Sequence, residues 1–333
     1  MITISDIANT LGVAPSTVSR ALSGNSGVSE ATRKAVFEKA VQLGYERNLA
    51  ASSLRSGRVN IVGIIVPRIN RAFFSSAISG AEAVLNEAGY YTIICQTQEK
   101  LELEISALKA MRSNRVAGVL ISHATASTNS DHIRKAISSG TTLVQFDRVF
   151  SDLQGPKILN DNFQGAYEGT RHLVEMGYER IGHVAGFMST EAYVQRLEGY
   201  RHALLDMGRP VDEDLIFYDS ITKETGYSAC KAALERKCDA LYCAGDFSAQ
   251  GAVEAAKEKG LDIPADFGVV GTADEYFTSL MSPPLSSISQ YPYEIGKRAA
   301  QAFLISKENG TDIGNIVVPM KLQIRESSLR KRP

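Results

Sequence analysis

The N-terminal region contains the stretch ISDIANTLGVAPSTVSRAL at residues 4–22, in which two short helical patterns are joined by a tight turn. Thr3 is placed to cap the first helix, with Asp6 at its third position. Gly12 suits the left-handed residue that ends a helix. The apolar face of this helix has i, i+3, i+4 and i+7 spacing and consists of Ile4, Ile7, Ala8 and Leu11. The stretch therefore predicts a short amphipathic helix that stops at Gly12.

A second helix is predicted to begin at Pro15, because proline favours the first helical position. Its inward side chains are Val18, Ala21 and Leu22, and its polar face consists of Ser16, Thr17, Ser19 and Arg20. Ser29 is placed to cap a third helix, which carries Glu30 in its first turn and runs to about Leu43. Residues 1–46 are thus predicted to form an all-α module of three short helices.

Two short helices joined at Gly12, with a third behind them, have the order of a helix-turn-helix. Small polar side chains let the second helix enter the major groove of DNA, and an arginine there can reach phosphate or the O6/N7 edge of guanine. Ser16, Thr17 and Arg20 are therefore candidate DNA-reading residues. A three-helix packing module with a solvated polar face is the alternative that the pattern itself leaves open.

The composition is that of an ordinary globular chain, with 333 residues, of which 44% are hydrophobic and 22% charged. Such a length predicts two or three domains. The net charge of −1 alone would disfavour a nucleic-acid partner, but residues 1–60 hold seven basic and four acidic side chains. The positive charge is therefore concentrated at the N-terminal end, which favours DNA binding without establishing it.

Targeting signals and cysteine spacing indicate where the chain resides. No apolar run approaches the ~20 residues that span a bilayer, and the segment MITISDIANT lacks the pattern of a secretory signal peptide. The four cysteines have no C-x-x-C spacing and are expected to be buried free thiols: Cys95, Cys230, Cys238 and Cys243. We therefore expect a cytoplasmic protein.

From Asn60 onward, apolar strand-like runs alternate with amphipathic helices. The first run, at 60–67, has the continuous apolar character of a buried parallel strand, and a helix at about 73–88 follows it. Further runs lie at 91–95, 116–122, 143–146, 181–185, 240–243 and 268–270. This alternation predicts a doubly wound α/β fold, in which ligands bind at the carboxyl ends of the strands. The region is long enough for two such lobes of roughly 130 residues each.

Several side chains follow predicted strands and are candidate ligand contacts. Phe73 and Phe74 come after the first strand, Asp147 directly follows the 143–146 run, and Asp246 soon follows the 240–243 run. Arg196 lies early in the helix after the 181–185 run. Carboxylates and a guanidinium in a dry cleft suit a polyhydroxylated ligand. Each has a structural alternative, because strand-end carboxylates often cap the next helix and Phe73 could be core.

These motifs resemble the lactose-repressor (LacI/GalR) family of transcriptional regulators. The resemblance is dense at residues 4–8, 12–24 and 28–33, includes hinge-like segments at 43–45 and 53–57, and continues to the C-terminus. It implies a helix-turn-helix headpiece over 1–46, a hinge over 47–58, and an effector-binding and dimerisation core over 59–333 with two doubly wound, parallel-sheet lobes like those of periplasmic binding proteins. The implied N-lobe spans about 59–160 and 291–317, and the C-lobe about 161–290 and 318–330. The chain would cross between them near Asn160, Gln290 and Val318.

The resemblance also implies the DNA contacts. Ser16, Thr17 and Arg20 match residues that read bases, and the residues that match backbone contacts are Ser29, Thr32 and Tyr45. The implied hinge contacts are Asn48, Ala51, Leu54 and Arg55, among which Leu54 matches a leucine wedged into a minor-groove step. The implied partner is an inverted-repeat operator on double-stranded DNA, bound by a homodimer, with a tetramer left open.

For the effector, the resemblance points to a set of cleft side chains, namely Phe73, Phe74, Asp147, Arg196, Asp246, Asp274 and Gln290. The chain departs from the family at Gly245, where asparagine is usual, at Ala273, where aspartate is usual, and near Ile221, where many members carry an aromatic platform. Losing a hydrogen-bond partner for a hydroxyl changes ligand discrimination. The effector therefore stays open among a carbohydrate or its derivative, which the family favours, a phosphorylated metabolite and another small molecule.

Two other classes of protein were weighed against a regulator. A secreted sugar-binding protein would share the α/β region but would carry a signal peptide and no headpiece. An enzyme is disfavoured because Asp246, Asp274 and the five histidines form no metal spacing, nucleophile elbow or phosphate loop. We therefore predict a non-enzymatic regulator without cofactor or metal, and repression is the family's usual mode. Whether the effector releases or promotes DNA binding stays open.

Overall fold

The computed structural model describes residues 2–22, 27–45, 60–310 and 312–330. The chain separates into two compact units, Met1–Val59 and Asn60–Pro333. The predicted hinge at 47–58, with Asn48, Ala51, Leu54 and Arg55, lies outside the described residues.

The described part of the N-terminal unit contains three helices, α1 (Ile4–Leu11), α2 (Pro15–Leu22) and α3 (Glu30–Gln42). The predicted capping box is confirmed, since the Thr3 N–H donates to Asp6 Oδ2 at 2.8 Å and the Asp6 N–H donates to Thr3 Oγ1 at 3.3 Å. Gly12 ends α1 with a φ of 65°, in the left-handed region that favours glycine. The helices enclose a small buried cluster of Ile7, Ala8, Val18, Ala21, Val36 and Ala40.

The second unit begins with a lobe built on a six-stranded sheet, which we call the N-lobe. Its strands are β1 (Ile61–Val66), β2 (Tyr91–Gln96), β3 (Gly118–Ile121), β4 (Leu143–Phe146), β5 (Lys157–Asn160) and β11 (Asn315–Val318). Their order is β11-β5-β4-β3-β1-β2, and every pair is parallel. The helices of this lobe are α4 (Ala72–Glu87), α5 (Leu101–Ser113), α6 (Asp131–Ser138) and α11 (Pro292–Asn309).

The other lobe, the C-lobe, repeats this architecture. Its strands are β6 (Ile181–Val184), β7 (Ile216–Phe217), β8 (Ala240–Cys243), β9 (Gly268–Ala273), β10 (Ser286–Ser289) and β12 (Lys321–Gln323). Their order is β12-β10-β9-β8-β6-β7, and only the pair of β12 with β10 is antiparallel. The helices are α7 (Asn162–Glu175), α8 (Glu191–Asp206), α9 (Lys223–Glu235) and α10 (Asp246–Glu258), with short 3₁₀ turns at Glu213–Leu215, Tyr276–Leu280 and Glu326–Ser328.

The chain passes between the two sheets after β5, after β10 and after β11. The first two crossings are bonded to each other, because Asn160 Nδ2 donates to the Gln290 carbonyl oxygen at 2.8 Å and Gln290 Nε2 donates to Asn160 Oδ1 at 3.4 Å. The first and third are also joined, by the Asp161 N–H and the Val318 carbonyl oxygen at 3.1 Å. These three short segments form one bonded hinge between the lobes.

The seven strands predicted from apolar runs are all present, as β1–β4, β6, β8 and β9. The sequence analysis missed the other five described strands, each of which has at most four residues. The missed strand β10 is buried along its length although three of its four residues are serines. The hydroxyls are satisfied by the fold, since Ser286 Oγ donates to the Arg325 carbonyl oxygen and Ser287 Oγ donates to Asp246 Oδ1.

The cysteines are free thiols, as expected, but their burial differs from the prediction. Cys230, Cys238 and Cys243 are buried, whereas Cys95 is only half-buried. Cys95 lies on β2, which is the edge strand of the N-lobe sheet, so one side of its backbone has no neighbouring strand.

Helices α4 and α11 approach closely on one face of the N-lobe sheet. A Cβ at Gly296 would lie 1.7 Å from the Ala77 carbonyl oxygen, and one at Gly80 would lie 2.0 Å from the Tyr293 carbonyl oxygen. Both distances are far inside van der Waals contact, and the obstructing atoms belong to backbone. The two glycines therefore set the separation of this helix pair.

We expect Gly296→Ala to destabilise the second unit by about 1–3 kcal/mol, because overpacking of the α4–α11 contact outweighs the ordinary helical preference for alanine. The midpoint of thermal unfolding measures this effect. Gly245→Ala is the matched control, since its Cβ would find only Ser248 Oγ, at 3.9 Å, within contact range. An equal, small effect of both substitutions would contradict the close-packing argument.

Candidate DNA-binding surface and ligand cleft

The outer face of α2 is polar and accessible. Ser16 and Arg20 are exposed, Thr17 is half-buried, and Arg20 Nε donates to the Ser16 carbonyl oxygen at 3.3 Å. The opposite face is anchored by the fully buried Val18 and Ala21. The packing of the three helices therefore fixes which side of α2 faces outward, and that side carries all three predicted base-reading residues.

The residues predicted to contact the DNA backbone also have structural roles. Ser29 caps α3, accepting a hydrogen bond from the Thr32 N–H at 3.3 Å, and the two hydroxyl oxygens are 2.8 Å apart. The Tyr45 N–H donates to the Ala40 carbonyl oxygen, and its ring packs against the buried cluster of the three helices. Ser29 is nevertheless exposed and Thr32 and Tyr45 are half-buried, so part of each remains accessible.

In the second unit, charged side chains gather where strands of the two sheets end, in a cleft between the lobes. Asp147 follows β4 and has a φ of 61°, and its Oδ2 accepts a hydrogen bond from Ser122 Oγ at 3.1 Å. Burial raises the pKa of Asp147, while Arg148 of the same lobe and Arg196 of the other act in the opposite direction. Arginines of both lobes therefore act on the pKa of Asp147.

Arg148 has most of its charge balanced within the N-lobe. Its Nη1 donates to Glu99 Oε2 at 2.7 Å and to Thr125 Oγ1 at 2.8 Å, and its guanidinium carbon lies 5.9 Å from the centre of the Phe74 ring. Burial alone would raise the pKa of Glu99, but Arg148 and Thr125 hold it below its ordinary value. The sequence analysis did not single out Arg148, because its partner Glu99 follows another strand.

Arg196, on α8, is held from two sides in the C-lobe. Its Nε donates to Asn162 Oδ1 at 2.9 Å and its Nη1 donates to the Ala244 carbonyl oxygen at 2.7 Å. The Tyr193 ring centre is 5.3 Å from its guanidinium carbon. Nη2 makes no hydrogen bond to any described residue, and the charge of Arg196 acts on the pKa of Asp147.

The other predicted effector contacts are used within the fold. Asp246 is 1% exposed, and its oxygens accept hydrogen bonds from Ser287 Oγ at 2.6 Å and the Glu275 N–H at 2.8 Å. Asp274 pairs with Arg325 at 2.7 Å. Gln290 belongs to the hinge, Phe74 is buried in the N-lobe core and Phe73 packs against that core. Of the seven predicted residues, the structure thus brings Asp147 and Arg196 together.

A further contact joins the lobes and involves residues that sequence reasoning missed. The Arg71 guanidinium carbon, just before α4, lies 4.4 Å from the centre of the Phe247 ring, in the first turn of α10. Glu275, after β9, is the neighbouring carboxylate, since Arg71 influences its pKa. The sequence feature that could have revealed these residues was their position, since Arg71, Phe247 and Glu275 all follow strands.

The three positions at which the sequence departs from the family pattern lie on the C-lobe side of the cleft. Gly245 leaves open space where a longer side chain would project, and Ala273 adopts a φ of 125°, which is strained for a residue with a Cβ. Ile221 is half-buried and offers no aromatic face. The aromatic rings close to cleft charges are instead Tyr193 and Phe247.

A helix-turn-helix unit followed by two hinged α/β lobes is the organisation of a DNA-binding transcriptional regulator. Two family profiles match the chain: "Bacterial regulatory proteins, lacI family" at residues 3–48 and "Periplasmic binding proteins and sugar binding domain of LacI family" at residues 60–326. The second covers most of the chain. The chain therefore belongs to the LacI family of bacterial transcriptional regulators.

Known proteins are similar over nearly the whole chain. The transcriptional repressor PurR of Actinobacillus pleuropneumoniae serotype 3 (strain JL03) is 30% identical over 310 residues, which are 91% of this chain and 90% of PurR. A solved complex of the transcriptional regulator CelR with cellobiose is 28% identical, with a TM-score of 0.74, over 98% of this chain and 100% of CelR. A lac repressor dimer bound to operator and the anti-inducer ONPF has the same fold, with a TM-score of 0.88 at 23% identity, over 98% of this chain and 99% of that chain.

Within the described ranges, no helix combines the length and apolar character that a membrane span requires. Among these same residues, no group of three or more His, Cys, Asp or Glu side chains is arranged to hold a metal ion.

Asp246 should make stability depend on pH near neutrality. Burial raises its pKa from 3.8 to about 7 against the opposing hydrogen bonds from Ser287 and Glu275. Between about pH 4 and 7 the folded chain holds a proton there that the unfolded chain has lost, so the free energy of unfolding falls as pH rises through this window. At about 1.4 kcal/mol per pKa unit, the effect reaches up to about 4 kcal/mol.

We therefore expect Asp246→Asn to gain stability relative to the wild type as pH rises from 4 to 8, as measured by chemical denaturation at each pH. The exposed carboxylate of Asp214 supplies the control variant, Asp214→Asn. Parallel pH profiles for the wild type and Asp246→Asn would show that Asp246 does not carry the effect.

Proposed function

We propose that this protein is a homodimeric transcriptional repressor that binds an inverted-repeat operator and whose operator affinity is controlled by a carbohydrate-like effector in the interlobe cleft. The observation that carries the proposal is the exposed polar face of α2, with Ser16 and Arg20 outward and Val18 and Ala21 buried behind them. Repression is supported by the similar PurR, which is a transcriptional repressor. Such a protein acts where DNA is, in the cytoplasm.

The proposed DNA contacts follow from the size and charge of the α2 side chains. Serine and threonine hydroxyls bring the helix close to base edges, and the Arg20 guanidinium can donate two parallel hydrogen bonds to guanine. Ser29, Thr32 and Tyr45 would position the helix on the phosphate backbone, where contacts fix orientation and carry no base information. The hinge contacts at Asn48, Ala51, Leu54 and Arg55 remain part of this proposal.

We expect Arg20→Ala to weaken binding to the operator by about 1–3 kcal/mol, roughly 5- to 150-fold, and to relax base preference at one position of each half-site. An operator is first selected in vitro with the wild type. Fluorescence anisotropy with this operator and its base variants then measures both effects. Lys39→Ala is the charge-matched control, since Lys39 donates to Gln42 at the far end of α3. Equal losses for the two variants would mean that Arg20 contributes charge alone.

The proposed homodimer has a physical basis in the edge of the N-lobe sheet. Strand β2 is an edge strand with outward apolar side chains, of which Tyr91 is 60% and Ile94 42% exposed. An uncovered apolar edge strand is a liability in a monomer, and a second copy would cover it. The dimeric lac repressor with the same fold supports this assembly.

The charge balance of the cleft favours an uncharged, hydroxyl-rich effector. Arg148 is paired with Glu99, Arg196 faces Asp147, and Arg71 faces Glu275. A phosphate group would add two negative charges to a cleft whose arginines already have carboxylate neighbours, whereas hydroxyls can donate to the carboxylates and accept from the guanidiniums. The cellobiose complex of the similar CelR also supports a carbohydrate. We assign the cleft to binding, not turnover.

The effector would act by changing the population of lobe arrangements. Asp147 belongs to the N-lobe and Arg196 to the C-lobe, so a ligand that bonds to both binds one lobe angle better than another. A ligand shifts an equilibrium only by its differential affinity for the two states, and cross-lobe contacts supply that difference.

We expect Asp147→Asn to weaken effector binding by at least tenfold, because it removes a charged hydrogen-bond acceptor at the centre of the cleft. A thermal-shift screen of monosaccharides, disaccharides and their phosphate esters first identifies a ligand of the wild type. Calorimetry then gives the dissociation constant, and anisotropy with operator shows whether the ligand releases or promotes DNA binding.

Asp152→Asn is the control for this prediction, because Asp152 is an exposed partner of Arg134. Operator binding by Asp147→Asn without ligand should equal that of the wild type. Undiminished ligand affinity in Asp147→Asn would remove Asp147 from the site, and a screen in which only phosphate esters bind would contradict the neutral-carbohydrate assignment.

A further inference from the structure

The contact between Arg71 and Phe247 differs from the other cleft contacts because it places a cation on an aromatic face. The guanidinium carbon lies 4.4 Å from the ring centre, and the two residues belong to different lobes. The Arg71 side chain makes no hydrogen bond to a described residue. The Phe247 ring is also supported within the C-lobe by Phe277, with ring centres 5.0 Å apart. Phe247 is thus a fixed aromatic ring with a face turned toward the N-lobe.

The Glu275 backbone is bonded to Asp246, the residue that precedes Phe247. Glu275 is only 8% exposed. Neither of its side-chain oxygens accepts a hydrogen bond from the described part of the chain. Burial raises the pKa of Glu275, and Arg71 opposes this shift from across the cleft. A buried carboxylate is costly unless a donor reaches it, and the cation that acts on Glu275 is Arg71 of the other lobe.

We propose that Phe247 and Glu275 form a sugar subsite specific to this chain, in which a pyranose ring stacks on Phe247 and one of its hydroxyls donates to Glu275. Arg71 occupies the aromatic face when no ligand is bound and is displaced by the sugar. The inference rests on the proposed function, since it places part of the proposed carbohydrate effector.

The chemistry of the two side chains matches the two sides of a pyranose. The ring has flat faces of C–H groups that pack on an aromatic surface, and an edge of hydroxyls that donate to carboxylates. A guanidinium is also flat and stacks on aromatic rings, so its position at 4.4 Å marks a face that a planar group can reach. Stacking and hydrogen bonding can therefore be satisfied together.

The backbone next to Phe247 carries no side chain at Gly245. Gly245 lies two residues before Phe247, and a Cβ built there would meet only Ser248 Oγ, at 3.9 Å. Ile221 supplies no aromatic platform on the C-lobe side. Phe247 thus provides the stacking surface that is absent at Ile221, and Glu275 provides the acceptor that is absent at Gly245 and Ala273.

The first experiment measures sugar binding by calorimetry with the full chain. The probes are glucose, galactose, mannose, cellobiose, maltose, lactose and trehalose. For the sugar that binds most tightly, we expect Phe247→Leu and Glu275→Gln each to weaken binding at least tenfold. Phe217→Leu and Glu254→Gln are matched controls on the C-lobe, at a β7 ring beside Arg236 and at a surface carboxylate paired with Lys223, and should bind as the wild type does.

The second experiment separates a hydroxyl contact from a general effect on folding. Monodeoxy analogues of the same sugar are titrated into the wild type and Glu275→Gln. One analogue should bind the wild type about tenfold more weakly than the parent sugar, while Glu275→Gln should bind that analogue and the parent equally. Arg71→Ala, which clears the ring face, should bind the parent sugar at least as tightly as the wild type.

The outcomes distinguish this subsite from the broader function. If a sugar binds and Asp147→Asn abolishes binding while Phe247→Leu and Glu275→Gln bind normally, the subsite is wrong and the proposed effector cleft stands. If every deoxy analogue loses equal affinity in the wild type and Glu275→Gln, the hydroxyl contact is overturned. A tenfold loss in Arg71→Ala overturns the displacement of Arg71. If none of the pyranoses binds the wild type, both the subsite and the carbohydrate assignment fail.

Discussion

The two-lobed unit depends on the hydrogen bonds that hold its three crossings together. Asn160 is bonded to Gln290 through both side-chain amide groups and a backbone carbonyl, and Asp161 is bonded to Val318. Short segments tied to one another at one place resist sliding of the lobes but allow rotation, since a few backbone dihedrals can absorb the change. The geometry of the cleft is therefore set by a hinge, and any ligand that contacts both lobes acts on that hinge.

Within the C-lobe, Asp246 also holds separate segments of the chain together by hydrogen bonds. Its oxygens join the N–H of Glu275, after β9, and the hydroxyl of Ser287, on β10, to the start of α10. This buried carboxyl fixes the loop that holds Glu275 and the first turn that holds Phe247. A residue that sequence reasoning places among the ligand contacts thus serves the cleft through the backbone it holds, and its burial explains why its pKa lies near 7.

The sequence predicted those features that depend on interactions between residues close together in the chain. The caps of α1 and α3 involve residues three apart, so the pair of Thr3 with Asp6 and the cap at Ser29 were visible in the chain. Strands with continuous apolar runs were also found. Strand β10 was missed because its serines are satisfied by distant partners, and the pairing of Arg148 with Glu99 or of Arg71 with Phe247 depends on which strand ends meet. Such contacts follow from topology, which a single sequence pattern does not contain.

The charged side chains of the cleft contribute to the energy of opening the lobes. Arg196 acts on the pKa of Asp147 across the gap and Arg71 acts on that of Glu275, while Arg148 and Glu99 are paired within one lobe. Opening the lobes separates two pairs of opposite charge in a partly dry space, where each attraction is stronger than in water. A ligand that enters must replace these attractions with hydrogen bonds of its own. A molecule with several hydroxyls meets that requirement, because its hydroxyls can donate to Asp147 and Glu275 and accept from Arg196.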